Sequence, residues 1–329
     1  MSYFLAIDGG QSKTLALIAD EAGHIYGCGK GGPSNHLHQA GAIERCRESL
    51  QQAILGAAAE AKLDLNQTRF TCAGLGLTGV SSIVPELVKG MVSVDTIAME
   101  GDAVTTWLAA TGGAPGAIII AGTGSIAFAQ NQAGERAVAG GWGYIMGDEG
   151  SGYWVAREAL AAACRGQDGR GAATVLQALL PRAAGLADLW ELHRRVYSQE
   201  WGRSDIARLA PAVCEGAKQG DAVAVGIIRA AARELARAAV AVLRKTGMDT
   251  DGEVFAAGGL FECEILLRMV EEETCLLLPK VTVKKSQFPP VVGSLFLAYQ
   301  AVGVPVNSVV GSIRKQLGGS VAVHFRDNS

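Results

Sequence analysis

Two short segments of this chain combine the residue types that phosphate chemistry needs. The first is Asp8-Gly9-Gly10-Gln11-Ser12-Lys13-Thr14, which follows the apolar run Phe4–Ile7. The second is Ala121-Gly122-Thr123-Gly124-Ser125, which follows Ala117–Ile120. Small residues let a backbone turn tightly and bring its N–H groups against a bulky anion. Ser12, Thr14 and the amides are the candidate donors in the first loop. Asp8, at the end of an apolar run, suits Mg²⁺, which keeps several waters and uses one or two carboxylates. A plain D-G turn would read the same way in isolation. The loop is no Walker A sequence, since Gly-x-x-x-x-Gly-Lys-Ser/Thr is absent.

The two segments are stronger together than apart. Each is an apolar run, a Gly/Ser/Thr loop, a second apolar run and an Ala-Gly turn, and the turn glycines Gly23 and Gly134 lie 111 residues apart. The pattern predicts a duplicated β-hairpin. It further predicts two domains facing each other across a cleft, each offering amides to one phosphate chain.

Three further positions could act on a second substrate. Asp102 follows the apolar run Val94–Met99. A carboxylate just past the C-terminal end of a parallel strand stands where open α/β sheets bind ligands. There it could take a proton from an attacking hydroxyl or cap the following helix; the phosphate loops favour the first. Asn35, in Ser34-Asn35-His36, offers the donor and acceptors that sugar hydroxyls need, and would equally serve an Asx turn. His36 and His38 have no third ligand nearby and do not read as a metal site. Gly140-Gly141-Trp142-Gly143-Tyr144-Ile-Met-Gly147-Asp148-Glu149-Gly150-Ser151 is too rich in glycine for regular structure. Capping and the helix dipole would account for one of its acids, not for the glycines. Ala256-Ala257-Gly258-Gly259 reads as a strand-to-helix loop that admits a flat base or ribose.

The elements that must carry these residues alternate. Strands are expected over 3–30, 70–77, 94–99, 117–129, 253–257 and 280–284. Helices are expected over 39–62, 103–111, 151–164, 172–184, 204–219 and 221–247, from about 261, and from about 290. Strand–helix–strand alternation implies parallel pairing. The loop 111–116 is the expected boundary between domains 1–116 and 117–303, with the last helix, about 290–303, free to pack back on the first. The polar tail 304–329 is expected to be an appendage or mobile.

Bulk properties exclude several classes. A chain of 329 residues favours two domains, and 49% hydrophobic with 19% charged residues gives ample core. A net charge of −3 without a basic run argues against a nucleic-acid partner. No 18-residue apolar stretch reads as a membrane span, and no basic start precedes the first strand. The seven cysteines are odd in number and widely spaced, which fits reduced thiols in the cytoplasm rather than disulfides or structural zinc.

With these motifs in hand, the chain resembles the sugar kinase, chaperone and actin ATPase superfamily. More narrowly it resembles the N-acetylglucosamine kinase and BadF/BadG/BcrA/BcrD-type ATPase family, over about residues 3–303. The resemblance implies an α/β fold of two ribonuclease H-like (actin-like ATPase) domains around a cleft. It implies ATP and Mg²⁺ as cofactors, a small amino sugar as substrate and a homodimer. Gly9, Gly10, Gln11, Ser12 and Lys13 match the first phosphate motif, although the family usually has a third glycine and a Thr where Gln11 and Ser12 stand. Gly122, Thr123 and Gly124 match the second, and Gly258 and Gly259 the adenosine motif. Asn35, Thr78, Gly141, Trp142, Asp148 and Glu149 match the sugar-binding side of the N-acetylglucosamine kinase branch. Asp102 is its expected base, and Asp8 and Asp102 would hold Mg²⁺ through water. The expected reaction is transfer of the ATP γ-phosphoryl to the 6-hydroxyl of N-acetylglucosamine or a close amino sugar. Kinases for glucosamine or N-acetylmuramic acid, a BadF-type ATPase and a nucleotide-dependent regulator are the alternatives. The BadF-type activators carry a cysteine beside the second phosphate loop, where this chain has Ile118–Ala121.

Overall fold

A computed structural model describes residues 2–34, 41–79, 81–198 and 200–317. The chain divides into two compact units, one of residues up to Ala114 together with those from Ser286 onward, the other Pro115–Lys285.

The first unit opens with β1 (Tyr3–Gly9), β2 (Thr14–Asp20) and β3 (Ile25–Gly31). Then follow α1 (Ala42–Ala61), β4 (Arg69–Leu77), α2 (Ile83–Lys89), β5 (Ser93–Gly101) and α3 (Asp102–Thr111). Its sheet runs in the order β3-β2-β1-β4-β5. The first three strands are antiparallel, and β1, β4 and β5 are parallel. Close packing of α1 on β3 rests on a glycine stripe at period two. Cβ atoms on Gly27, Gly29 and Gly31 would meet the carbonyl oxygens of Ala57, Ala53 and Ser49 at 2.2, 1.9 and 2.0 Å. Spacing of two on the strand thus matches spacing of four on the helix.

The second unit repeats the plan. It contains β6 (Gly116–Ala121), β7 (Ser125–Gln130) and β8 (Arg136–Gly140), then six helices: α4 (Gly152–Gln167), α5 (Leu176–Ala183), α6 (Leu189–Val196), α7 (Arg203–Ala207), α8 (Ala210–Lys218) and α9 (Ala222–Lys245). After these come β9 (Glu253–Ala257), a short 3₁₀ turn, α10 (Glu264–Leu277) and β10 (Thr282–Lys285). The sheet order β10-β9-β6-β7-β8 is that of the first unit, strand for strand, with β6, β9 and β10 parallel. The hairpins expected at the two glycine loops are β1–β2 and β6–β7.

The chain then returns to the first unit through α11 (Pro290–Ala301) and α12 (Val306–Leu317). The second compact unit therefore ends at Lys285, and the last helix of the expected 117–303 domain belongs with the first unit, the packing the sequence left open. The reason is local fit: a Cβ on Gly74 would meet the Ser294 carbonyl oxygen at 1.8 Å, and one on Gly293 that of Thr105 at 1.7 Å. The described part of the tail corrects an expectation. Residues 306–317 form a helix whose Val306, Val309 and Ile313 are buried. Gln316 ties it down, its Oε1 accepting the Ile25 amide (2.9 Å) and its Nε2 donating to the Gly23 carbonyl oxygen (2.8 Å). Among the described residues no helix is long and apolar enough to cross a membrane.

Candidate functional site

Strand register gathers the candidate residues of the first unit. Gly9 pairs with Leu77 and Leu77 with Gly101, so β1, β4 and β5 end side by side. Asp8, Gly10, Thr78 and Asp102 therefore share one edge. The Gly10 amide donates to the Lys13 carbonyl oxygen (2.9 Å) and closes the turn that carries Gln11 and Ser12. Ser12 is exposed, whereas Thr14 is fully buried and its hydroxyl donates to the Gly32 carbonyl oxygen (2.8 Å). Thr14 is thus a brace between strands, and the expectation that it serves phosphate is corrected. Gly9 has no room for a side chain, because a Cβ would lie 2.4 Å from Ser34 Oγ and 2.6 Å from Leu77 Cδ2.

Asp102 is half-buried at the start of α3. Its Oδ2 accepts the Thr78 hydroxyl (2.6 Å) and its Oδ1 the Ala103 amide (2.9 Å). The N-cap of α3 is Gly101, so Asp102 is not the cap the sequence also allowed. Asp8 feels this carboxylate. Burial, then the Asp102 charge, push the Asp8 carboxyl up to about 7, with Lys13 pulling it down. A buried acid that is costly to ionise beside a second carboxylate forms a place that a divalent cation relieves. Thr78, expected on the sugar side, gives its hydroxyl to Asp102, which is expected there too. Asn35, and with it His36 and His38, lies outside the described residues.

In the second unit the loop 122–124 is closed by the Gly122 amide donating to the Gly124 carbonyl oxygen (2.9 Å). The α4 amides of Gly152 and Tyr153 donate to the Gly122 and Thr123 carbonyl oxygens (2.7 and 3.4 Å). Ser125 binds the glycine-rich segment three times. Its amide donates to Asp148 Oδ1 (3.1 Å), its hydroxyl to the Glu149 carbonyl oxygen (2.7 Å), and its own carbonyl oxygen accepts the Gly141 amide (3.0 Å). The second expected phosphate loop and the Gly140–Ser151 segment are one hydrogen-bonded body. Gly258 backs onto the same strand end, since a Cβ there would meet the Ala121 carbonyl oxygen at 2.4 Å, while Gly259 faces open space.

The α4 cap is Ser151, whose hydroxyl accepts the Trp154 amide (3.2 Å). Neither Asp148 nor Glu149 performs that job. Glu149 is exposed, and Trp142 is 71% exposed. Asp148 is only 3% exposed and sits at φ +59°, a left-handed conformation uncommon outside glycine. Arg203, which no sequence pattern marked, is its partner at 2.6 Å. The two lie 55 residues apart in the chain, too far for any local spacing to join them.

This chain is similar to known proteins along most of its length. The family model of the BadF/BadG/BcrA/BcrD ATPases matches residues 5–298. The chain is 30% identical over 262 residues to the N-acetylmuramic acid/N-acetylglucosamine kinase of Clostridium acetobutylicum, covering 79% of this chain and 85% of that one. It is 26% identical to the N-acetyl-D-glucosamine kinase of Dictyostelium discoideum, over 90% and 97% of the two chains. A Chromobacterium violaceum structure provisionally named an N-acetylglucosamine kinase superposes with a TM-score of 0.74 at 27% identity, over 91% of this chain and 99% of that one. The paired sheets are those of a two-domain actin-like ATPase. By the extent of the family match and the repeated fold, this chain belongs to the BadF/BadG/BcrA/BcrD ATPase family.

Proposed function

We propose that this protein is an ATP-dependent kinase that phosphorylates the 6-hydroxyl of N-acetylglucosamine or a close amino sugar. One observation carries the reading: a carboxylate at the end of β5, Asp102, held by two donors beside a second acid on β1. The kinases to which the chain is similar act on amino sugars by name, which supports the substrate class.

The sugar hydroxyl gives its proton to an Asp102 oxygen as its own oxygen attacks the γ-phosphorus in line. The bond from that phosphorus to the β,γ-bridging oxygen breaks, and ADP leaves with the electron pair. Thr78 and the Ala103 amide fix the plane of the Asp102 carboxylate, so little reorganisation accompanies the proton's arrival. Amides of the 9–13 and 122–124 loops, with Ser12 and Lys13, hold phosphate oxygens, and Gly258 and Gly259 admit the adenosine. Asn35, Thr78, Asp102, Gly141, Trp142, Asp148 and Glu149 form the sugar side. Mg²⁺, held by Asp8 and Asp102 through water, would supply charge neutralisation for the phosphates. We take the protein to act in the cytoplasm as a homodimer.

Coupled ADP release across N-acetylglucosamine, N-acetylmuramic acid and glucosamine, with glucose as control, tests the reading. Ratios of kcat/KM identify the substrate. ATP turnover that no sugar stimulates would reject the kinase in favour of an ATPase or a regulator.

A further inference from the structure

Arg203 has no role in the scheme above, yet it is the least accidental contact of the second unit. Its Nη2 donates to Asp148 Oδ2 at 2.6 Å, and the two side chains are only 16% and 5% exposed. Its guanidinium carbon stands 5.5 Å from the centre of the Tyr144 ring, within cation–π range. Its Nε is buried with no hydrogen-bond partner among the described residues, so the bond to Asp148 is what compensates the buried charge. Asp148 in turn reaches the second phosphate loop through the Ser125 amide.

Gly124 records the same arrangement. Its φ lies outside the left-handed range, so the backbone itself would accept a side chain there. Space would not. A Cβ on Gly124 would come within 2.5 Å of Arg203 Nη2 and 3.0 and 3.1 Å of the two Asp148 carboxylate oxygens. The phosphate-loop glycine is therefore shaped around this ion pair. One guanidinium and one carboxylate lie directly on the backbone that is expected to face phosphate. The same carboxylate belongs to the segment that is expected to face the sugar.

We infer that Arg203 is a positioning residue that couples the two ligands: by pinning Asp148 against Gly124 and Ser125, it makes nucleotide and amino sugar each sense the other's presence. This rests on the kinase reading of the two loops. Coupling of this kind is reciprocal, and its usual size is about 5- to 150-fold in affinity. A lysine cannot replace the planar fork that reaches carboxylate and aromatic ring together.

The test is calorimetry with ADP, with and without saturating N-acetylglucosamine, on the full chain and on Arg203→Met, Arg203→Lys, Asp148→Asn and the Arg203→Met/Asp148→Asn double variant. Thermal melts establish that each variant is folded. Arg203→Met is expected to weaken ADP about tenfold and to bring the sugar's effect on ADP affinity close to onefold, by the loss of coupling. Because Arg203 acts through Asp148, adding Arg203→Met to Asp148→Asn is expected to cost less than about twofold more. Arg203→Lys is expected to fall between Arg203→Met and the parent, and it decides the matter where Arg203→Met does not fold. Parental ADP affinity and sugar effect in a folded Arg203 variant would overturn the inference. So would losses that add in full on the Asp148→Asn background. If the parent binds ADP but phosphorylates no amino sugar, the kinase reading fails, while the ADP arm and the double variant still decide the role of Arg203.

Discussion

The Thr78 hydroxyl donates to Asp102 Oδ2 at 2.6 Å, and the donor and acceptor come from the ends of neighbouring parallel strands. The Ala103 amide holds the other oxygen. If Asp102 is the base, its value depends on geometry that Thr78 sets, while nucleotide binding does not. Asp102→Asn is expected to abolish turnover, a loss on the order of 10²–10⁴-fold, with ATP still bound. Thr78→Val is expected to lower kcat about tenfold with little change in the KM for ATP, and Thr78→Ser to recover most of it, because one orienting hydrogen bond is removed or kept. Steady-state kinetics on both substrates checks this; phosphotransfer retained in Asp102→Asn would remove Asp102 from its role.

The glycine stripe on β3 makes a sharp contrast between two substitutions of one kind. Gly29→Ala would drive a methyl to 1.9 Å from the Ala53 carbonyl oxygen, so β3 and α1 must separate. Overpacking of this sort costs about 1–3 kcal/mol or more, and backbone atoms on both sides place this case at the upper end. Gly226, inside α9, has nothing within 4 Å of its Cβ position. Gly226→Ala is expected to stabilise by about 0.5–1 kcal/mol through helix propensity and a stiffer unfolded chain. Denaturant unfolding of the two variants reads both signs.

How much of this was legible beforehand follows from which interactions are local. Hairpins β1–β2 and β6–β7 announce themselves because each is two apolar runs about a glycine loop, and the resulting sheets repeat one order. Asp102 is visible because a strand-end carboxylate is a positional signal. Helices α2 and α6 escape because seven or eight residues give barely two turns of periodicity. The hydroxyl of Thr14 misleads a reader of the sequence, since β-strand alternation points it inward to Gly32 and away from the loop. Arg203 gives no sequence signal at all, for its meaning comes from Asp148, Tyr144 and Gly124, which tertiary folding alone brings to it.

Helix α12 offers a stability test of its own packing. Ile313 is fully buried, and it and Val309 fill the space against Gly23 at the β2–β3 turn. Ile313→Ala is expected to cost about 2–4 kcal/mol, the range for emptying a buried branched site. Truncation before Val306 would additionally release the two Gln316 bonds to β2–β3. Thermal melts that do not move on Ile313→Ala would show that α12 is not part of the folded first unit.

Asp221 provides the pH test. It caps α9, accepting the Ala224 amide (2.9 Å), and also accepts the Thr174 hydroxyl (2.9 Å) and the Val175 amide (3.0 Å). Burial by itself raises its carboxyl, but the bonds to Ala224, Val175 and Thr174 outweigh it and hold the group below the ordinary 3.8. A carboxyl depressed by folding is ionised more readily in the native state than in the unfolded one. Its stabilisation is therefore complete above the unfolded value and disappears as pH falls through the folded one. Asp221→Ala is expected to destabilise by about 1–2 kcal/mol at neutral pH, the usual worth of a cap. That difference should stay flat down to about pH 4 and shrink below it, since the parent then loses the same ionised cap. Unfolding free energies of parent and variant between pH 7 and pH 3 supply the comparison; a gap that widens on acidification would mean that the carboxylate is not what holds α9 to the Thr174 turn.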